Sequence, residues 1–147
     1  MKKPLPPTYF LGALILSGLL HFIVPLAMLL DWPWRGVGVL PLIVGIVLNM
    51  TADKAFKQRN TAVKPFEESS VLITDGVFRL SRNPMYLGMV MILIGVALLA
   101  GSATPWTAVV LFAVLMDRLF MVPEERMLEQ KFGEAFSRYK RNVRRWI

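Results

Sequence analysis

The sequence predicts an all-α fold: a polytopic membrane protein with about four transmembrane helices, a cytoplasmic loop and a C-terminal amphipathic helix. The first observation is composition, because 55% of the 147 residues are hydrophobic, a high share for a soluble protein. The second is the grouping of these residues into four long apolar segments. The third is the crowding of positive charge onto one side of those segments. The length favours a single domain over residues 1–147.

Four apolar segments are the candidate membrane spans. A helix that crosses a bilayer needs about 20 mostly apolar residues. The predicted spans are 9–30, 36–56, 84–103 and 105–122. The second crosses only if its polar end, from Asn49 to Asp53, faces other protein or the headgroups. In the first we expect His21 to hydrogen-bond a neighbouring helix, although a polar residue inside a span also raises a functional hypothesis.

The positive charges orient these spans. Of the 17 lysines and arginines, Arg35 alone falls between spans one and two, and the turn between spans three and four has none. The positive-inside rule therefore places both termini and the middle loop in the cytoplasm, with the spans in the cell's inner membrane. The basic excess predicts contact with anionic headgroups rather than nucleic acid. The lack of cysteine and the single histidine lead us to predict no metal site, and no feature indicates an oligomeric state.

The polar part of the chain consists of a middle loop, about 53–82, and a tail. The loop is too long to be only a connector, and its run VLITDGVF, with an Asp-Gly turn signal, could be extended. The tail carries apolar residues at helical spacings, which predicts an amphipathic helix over 123–142. Pro123 suits the first turn of that helix, and Gly133 weakens it locally.

The stretch SRNPMYLG, residues 81–88, precedes the third span. Asn83 suits an N-cap and Pro84 a first helical turn, so the span begins near the membrane surface. A helix start of this kind favours anions, Arg82 adds a bidentate guanidinium, and Tyr86 adds a ring and a hydroxyl. Two interpretations stay open: a site for a small charged ligand at the membrane face, or a topology anchor with a cap.

Three stretches carry a resemblance to a known family: NTAVKPF, LITDGVFRLSRNPMYLG and EERMLEQKFGEAFSRYKRNVRRWI. They cover roughly residues 56–147 in order, with two spans between the last two stretches. The combination of Arg-Asn-Pro-x-Tyr, a hydrophobic hairpin and Glu-Glu-x-x-Leu-x-x-x-Phe-Gly resembles the isoprenylcysteine carboxyl methyltransferase family, which groups with the phospholipid methyltransferases. By themselves, Glu124 and Glu125 would equally suit a charged first turn, and Asp117 and Arg118 a simple pair.

The resemblance implies S-adenosylmethionine (SAM) as methyl donor, in a cytoplasmic pocket between the loop, the start of the third span and the Glu-Glu helix. The residues that it places around the donor are Leu72, Ile73, Phe78, Asn83, Pro84, Met85, Tyr86 and Glu124. Asn83 stands where the family often has histidine, and Val77 where bacterial members often have proline. Charge adds Arg82 for the donor's carboxylate, and Glu124 or Glu125 for its ammonium or ribose hydroxyls. The family's substrate-binding arginine corresponds best to Arg118, and no catalytic residue is assigned.

The protonation state of the reacting group limits the chemical class of the methyl acceptor. A carboxylate is ionised at neutral pH and needs no base, whereas an amine must lose a proton, and no base stands in these motifs. We therefore predict methyl transfer to a lipidic carboxylate of isoprenylcysteine type, reached through the bilayer. The alternatives are a phospholipid N-methyltransferase, a nicotinamide-dependent membrane reductase and a non-enzymatic membrane protein of the same fold.

Overall fold

The computed structural model describes residues 4–61 and 70–147, and within them the chain is all-helical, as predicted. The α-helices of the described ranges are α1 (Pro6–Ile23), α2 (Val39–Gln58), α3 (Pro84–Ala100), α4 (Pro105–Met116), α5 (Val122–Phe132) and α6 (Glu134–Asn142). Short 3₁₀ turns cover Trp34–Gly38 and Gly76–Arg79, and a π-helical turn covers Asp117–Met121. Residues 62–66 of the first resembling stretch lie outside the described residues.

Three helical stretches are long and apolar enough to cross a membrane, namely Pro6–Ile23, Trp34–Gln58 and Pro105–Phe132. Helix α3 is apolar but shorter, with 17 residues. These helices confirm a polytopic membrane protein. The 3₁₀ turn before α2 lengthens the second span at its start, so that the span does not depend on the apolar part of α2 alone.

Helix α1 ends at Ile23, seven residues before the end of the first apolar segment. Pro25 lacks a backbone N–H and cannot continue a helix. The residues that follow run beside the turn between α3 and α4, where Leu29 N donates to Gly101 O at 2.7 Å. His21 Nδ1 lies 2.8 Å from Ser102 Oγ in that turn. The expected hydrogen bond of His21 exists, but its partner lies in a turn instead of a helix.

Helices α2 and α3 approach closely through two pairs of glycines spaced seven residues apart. A methyl group built on Gly38 would lie 2.5 Å from Gly95 O, and one built on Gly95 would lie 2.7 Å from Gly38 O. Gly45 and Gly88 face each other in the same way. Small residues allow backbones to meet at such distances in membrane helices. We call these four residues the glycine contact.

Helix α4 continues through the π-helical turn into α5 without a break, so the predicted boundary between span 105–122 and tail helix 123–142 is not a helix end. The tail helix is instead interrupted at Gly133, whose φ of +52° ends α5. Left-handed backbone of this kind favours glycine. The interruption allows α6 to turn back towards the start of α3.

Two hydrophobic clusters form the core of the described residues. The membrane cluster contains Ala13, Tyr86, Val90, Leu93, Ala97, Val109, Phe112, Met116, Phe120 and Met121. The loop cluster contains Ala52, Ile73, Phe78, Phe136 and Tyr139. Tyr86 belongs to the first cluster and Met85 packs against the second. The first turn of α3 therefore stands at the junction between the membrane helices and the polar end of the molecule.

Candidate active site at the start of helix α3

The start of α3 is held by residues distant in sequence. Asn83 occupies the N-cap position, as predicted, but its side chain makes no capping hydrogen bond. Its Nδ2 donates to Arg145 O at 3.3 Å, while Asn83 N donates to Ser81 Oγ at 3.0 Å. Leu87 N donates to Asn83 O at 3.0 Å and begins the helical ladder. The C-terminal segment thus holds the Asn83 side chain in place at the start of α3.

Arg82 is buried beside this helix start, with 8% of its side chain exposed. Its Nη2 lies 2.9 Å from Glu125 Oε1, and its Nη1 donates to Lys140 O at 3.3 Å. Its Nε has no hydrogen-bond partner within the described part of the chain. A buried polar group without a partner is costly, so an acceptor atom at this position would be stabilising. Arg82 is paired with Glu125, yet it keeps a donor for a ligand.

Glu125 joins two arginines. Arg145 Nε donates to Glu125 Oε1 at 3.0 Å and Arg145 Nη2 to Glu125 Oε2 at 2.7 Å, which is a bidentate contact. Arg145 Nη1 also donates to Asp117 Oδ1 at 3.0 Å. The hydrogen bonds to Glu125 raise the pKa of Arg145 above its ordinary value, so this guanidinium stays charged. We call Arg82, Asp117, Glu125 and Arg145 the four-charge network.

Glu124 makes a separate contact on the adjacent position of the helix. Tyr86 OH donates to Glu124 Oε1 at 2.7 Å. The Tyr86 ring lies 6.2 Å from the ring of Phe120, which meets Tyr9 edge-on at 5.6 Å. The two glutamates are therefore more than a charged first turn, because each is tied to the start of α3.

The loop residues predicted around the donor lie mainly in the loop cluster. Ile73 and Phe78 are each 5% exposed, and Leu72 packs beside them. In the run that could be extended, residues 71–74 form neither helix nor strand, and a 3₁₀ turn follows over Gly76–Arg79. Tyr139 OH donates to Phe78 O at 2.6 Å, and burial raises the pKa of Tyr139, so the phenol remains a donor. These side chains contact the first turn of α3 through Met85, which packs against the loop cluster.

The loop is also fastened to the end of α2. Arg59 Nη2 donates to both carboxylate oxygens of Asp75, at 2.7 and 2.6 Å. Asp75 precedes Gly76, whose φ is +59°. The Asp-Gly turn predicted from the sequence is therefore held by an ion pair that sequence spacing alone did not indicate.

Arg118 lies apart from the four-charge network. Its side chain is 77% exposed, and its Nε is 3.7 Å from Asp117 Oδ2. Asp117, with 19% of its side chain exposed, makes its shorter contact to Arg145 at 3.0 Å. Both residues stand on the π-helical turn, a geometry that is frequent at functional sites. A role for Arg118 in substrate contact stays a prediction.

Sequence reasoning missed Arg145 and Asp117 as members of the site. Arg145 falls in a run of basic residues, where the only signal was a topology bias. Asp117 stands beside Arg118, which suggested a local pair. Contacts that join residues 82, 117, 125 and 145 leave no periodic trace in a sequence, so the network became visible only with the fold.

The charged and hydrogen-bonding groups at this site suit a zwitterionic ligand such as SAM. Arg82, with its unpartnered Nε, and the N-terminal turn of α3 suit a carboxylate. Glu124, whose Oε1 accepts from Tyr86, offers a carboxylate to an ammonium or to ribose hydroxyls. The residues present therefore fit the group that the resemblance implies.

The chain is similar in sequence to known proteins. The family model for phospholipid methyltransferase matches residues 34–135, more than half of the chain. No solved structure matches the chain significantly. An uncharacterized protein of Haemophilus influenzae is 38% identical over 63 residues, which cover 43% of this chain and all of that protein.

Two relatives carry the name of an enzyme. Protein-S-isoprenylcysteine O-methyltransferase A of Arabidopsis thaliana is 32% identical over 120 residues, covering 76% of this chain and 58% of that protein. Protein-S-isoprenylcysteine O-methyltransferase of Schizosaccharomyces pombe is 28% identical over 76 residues, covering 50% of this chain and 31% of that protein. The chain thus spans only part of these two relatives. The match to the family model and the motifs at the start of α3 lead to one conclusion: the chain belongs to the phospholipid methyltransferase family.

Proposed function

We propose that this protein is an integral membrane methyltransferase that transfers a methyl group from SAM to the carboxylate of a lipidic acceptor, most closely of isoprenylcysteine type. The observation that carries the proposal is the joining of both glutamates to the start of α3, by Tyr86–Glu124 at 2.7 Å and Arg82–Glu125 at 2.9 Å. Family membership and the names of the two enzyme relatives support the reaction type.

The chain's own residues divide the work of holding the donor. Arg82 and the first turn of α3 bind the donor's carboxylate, and Glu124 binds its ammonium or ribose hydroxyls. When bound, SAM supplies a sulfonium methyl group, and the carbon–sulfur bond breaks as the new carbon–oxygen bond forms. Since this displacement is in-line, positioning and exclusion of water supply most of the rate. The ionised acceptor needs no proton transfer.

An apolar groove between α1 and α4 would receive the acceptor's tail. Tyr9, Gly12 and Leu16 line it from α1, and Phe112 and Leu115 line it from α4. The Tyr9 ring meets Phe120, which in turn lies beside Tyr86. Two aromatic contacts therefore link the lining of the groove to Tyr86 at the start of α3. An apolar tail gains about 0.8 kcal/mol per methylene moved out of water.

A second candidate is a phospholipid N-methyltransferase. The name of the matching family model favours it. An amine acceptor must lose its proton. In this candidate Glu124 would be the base that accepts that proton. The same donor site serves both candidates, so only the acceptor distinguishes them.

The experiment is donor turnover by the purified full chain in detergent. Matched acceptors would carry a carboxylate or an amine head group, each with a long and a short apolar tail. We expect the long-tailed carboxylate to be methylated fastest. A strong rate on phosphatidylethanolamine, with none on lipid carboxylates, would replace this proposal with the phospholipid one. Absence of turnover on every acceptor would contradict both.

We also propose that both termini and the site face the cytoplasm, because Arg35 alone among the 17 lysines and arginines lies in an opposite loop. Reporter domains fused after Ile147 and inserted near Thr104 should report opposite sides of the membrane. The same side for both would contradict the topology.

A further inference from the structure

The last residues of the chain cross the start of α3. Arg82 N donates to Arg144 O at 3.1 Å, and Ser81 Oγ donates to Arg145 O at 3.0 Å. Trp146 packs against the membrane cluster. The backbone on both sides of Arg145 is thus fixed, which aims its side chain at the π-helical turn and at α5.

The Arg145 guanidinium spans two carboxylates from that position. It contacts both oxygens of Glu125, at 3.0 and 2.7 Å, and one oxygen of Asp117, at 3.0 Å. Only a planar fork with several N–H groups can make this set of contacts, since an ammonium is a single point charge. Arg145 is therefore matched to both acids by shape as well as by charge.

The contacts of Arg145 limit how much of the Arg82 guanidinium is occupied by Glu125. With Arg145 present, Glu125 is held by a bidentate partner and meets Arg82 through Nη2 alone. Without Arg145, the site would lose one positive charge: Glu125 would remain paired with Arg82 at 2.9 Å, and Asp117 with the exposed Arg118 at 3.7 Å. A ligand carboxylate would then be held less strongly at the start of α3, because charges separated by a few ångströms in a partly buried site interact strongly.

We propose that Arg145 is a positioning residue for the donor site: it takes up Glu125 and Asp117 so that Arg82 stays available to the donor's carboxylate. The inference rests on the proposed function, since it concerns the same site. Arg145 touches neither reacting group. Arg145 acts through Glu125, and the residue that contacts the donor's carboxylate is Arg82.

The test is calorimetric titration of SAM into the full chain in detergent. Wild type is compared with Arg145→Ala, Arg145→Lys and the matched control Arg141→Ala, which removes an exposed arginine of α6. We expect both Arg145 variants to bind SAM roughly ten- to a hundredfold more weakly, as for loss of a charge-assisted contact. Arg141→Ala should bind like wild type. The conservative lysine should fail to restore affinity because it cannot span both acids.

The fraction of molecules that bind SAM in the titration distinguishes a loss of positioning from a loss of folding. A folding defect lowers the fraction of molecules that bind but leaves their dissociation constant unchanged, whereas a positioning defect raises the constant at full occupancy. If Arg145→Ala does not fold, Arg145→Gln, which keeps a long polar side chain but not the charge, should still weaken binding several-fold. Wild-type affinity in Arg145→Lys and Arg145→Gln would overturn the inference. Absence of SAM binding by wild type would instead overturn the proposed function and the inference with it.

Discussion

The body of helix α3 and its start are held in place by different kinds of interaction. Along most of its length α3 meets α2 through the glycine contact, where the backbones approach closely and the Asn49 side chain lies beside Gly88. At its start, α3 is held by the four-charge network and by Tyr86–Glu124. The first arrangement is sensitive to side-chain size, whereas the second is sensitive to charge and to the shape of the guanidinium group. The glycine contact therefore holds α3 against α2 without using the charged side chains at the start of the helix.

The largest effect is expected at Arg82. Removing one partner of a buried ion pair costs roughly 3–5 kcal/mol, and because Arg145 still holds Glu125 we expect Arg82→Ala to lower the free energy of unfolding by about 3 kcal/mol. Donor affinity should be lost in the same variant. Denaturant unfolding and calorimetry measure the two quantities. The control is Arg79→Ala, which removes an exposed arginine of the same loop and should change neither.

A smaller effect is expected at the glycine contact. Gly45→Leu forces a side chain into the backbone of α3, and overpacking costs roughly 1–3 kcal/mol. The matched control is Gly18→Leu on α1, because a methyl group on Gly18 meets nothing within 4 Å. Thermal unfolding in detergent should show a lower midpoint for Gly45→Leu alone. The SAM affinity of the folded fraction of Gly45→Leu should equal that of wild type. A tenfold lower affinity would contradict the separation between the glycine contact and the charged start of α3.

The smallest effect is expected in the groove between α1 and α4. Gly12 lines the groove, and a methyl group on it meets nothing within 4 Å, so Gly12→Leu should fill the groove without disturbing the packing. We expect a several-fold lower turnover of long-tailed acceptors, with short-tailed acceptors and SAM affinity unchanged. Gly18→Leu again serves as the control. Equal slowing of both tail lengths would remove the groove from the proposal.

The sequence predicted those parts of the fold that depend on neighbours along the chain. Pro84 and Pro105 begin α3 and α4 where they were expected, because a proline at a helix start acts locally. The first span was expected to run from 9 to 30, whereas α1 ends at Ile23 before Pro25. The weak point expected at Gly133 is a break between two helices, and its geometry depends on where α6 packs. The apolar run before the Asp-Gly turn became part of the loop cluster, which no local pattern describes.

The candidate site divides in the same manner. Arg82, Tyr86 and Glu124 were identified from motifs, and the structure brings them to one place. The partnership of Arg82 with Glu125 was not foreseen, since both were assigned to the ligand. Arg145 completes the network from the far end of the chain. Pairings of this kind are decided by tertiary packing, and they had no signal in residue spacing.

The most direct test of the proposed site is the affinity of the full chain for SAM, measured by calorimetry. The wild type should bind SAM at one site. Glu124→Gln and Tyr86→Phe, which alter the two partners of the 2.7 Å hydrogen bond, should each weaken binding about tenfold or more. Glu129→Gln, which changes a half-exposed glutamate of the same helix, should bind as wild type does. Equal affinity in all four proteins, or no binding by the wild type, would contradict a donor site at the start of α3.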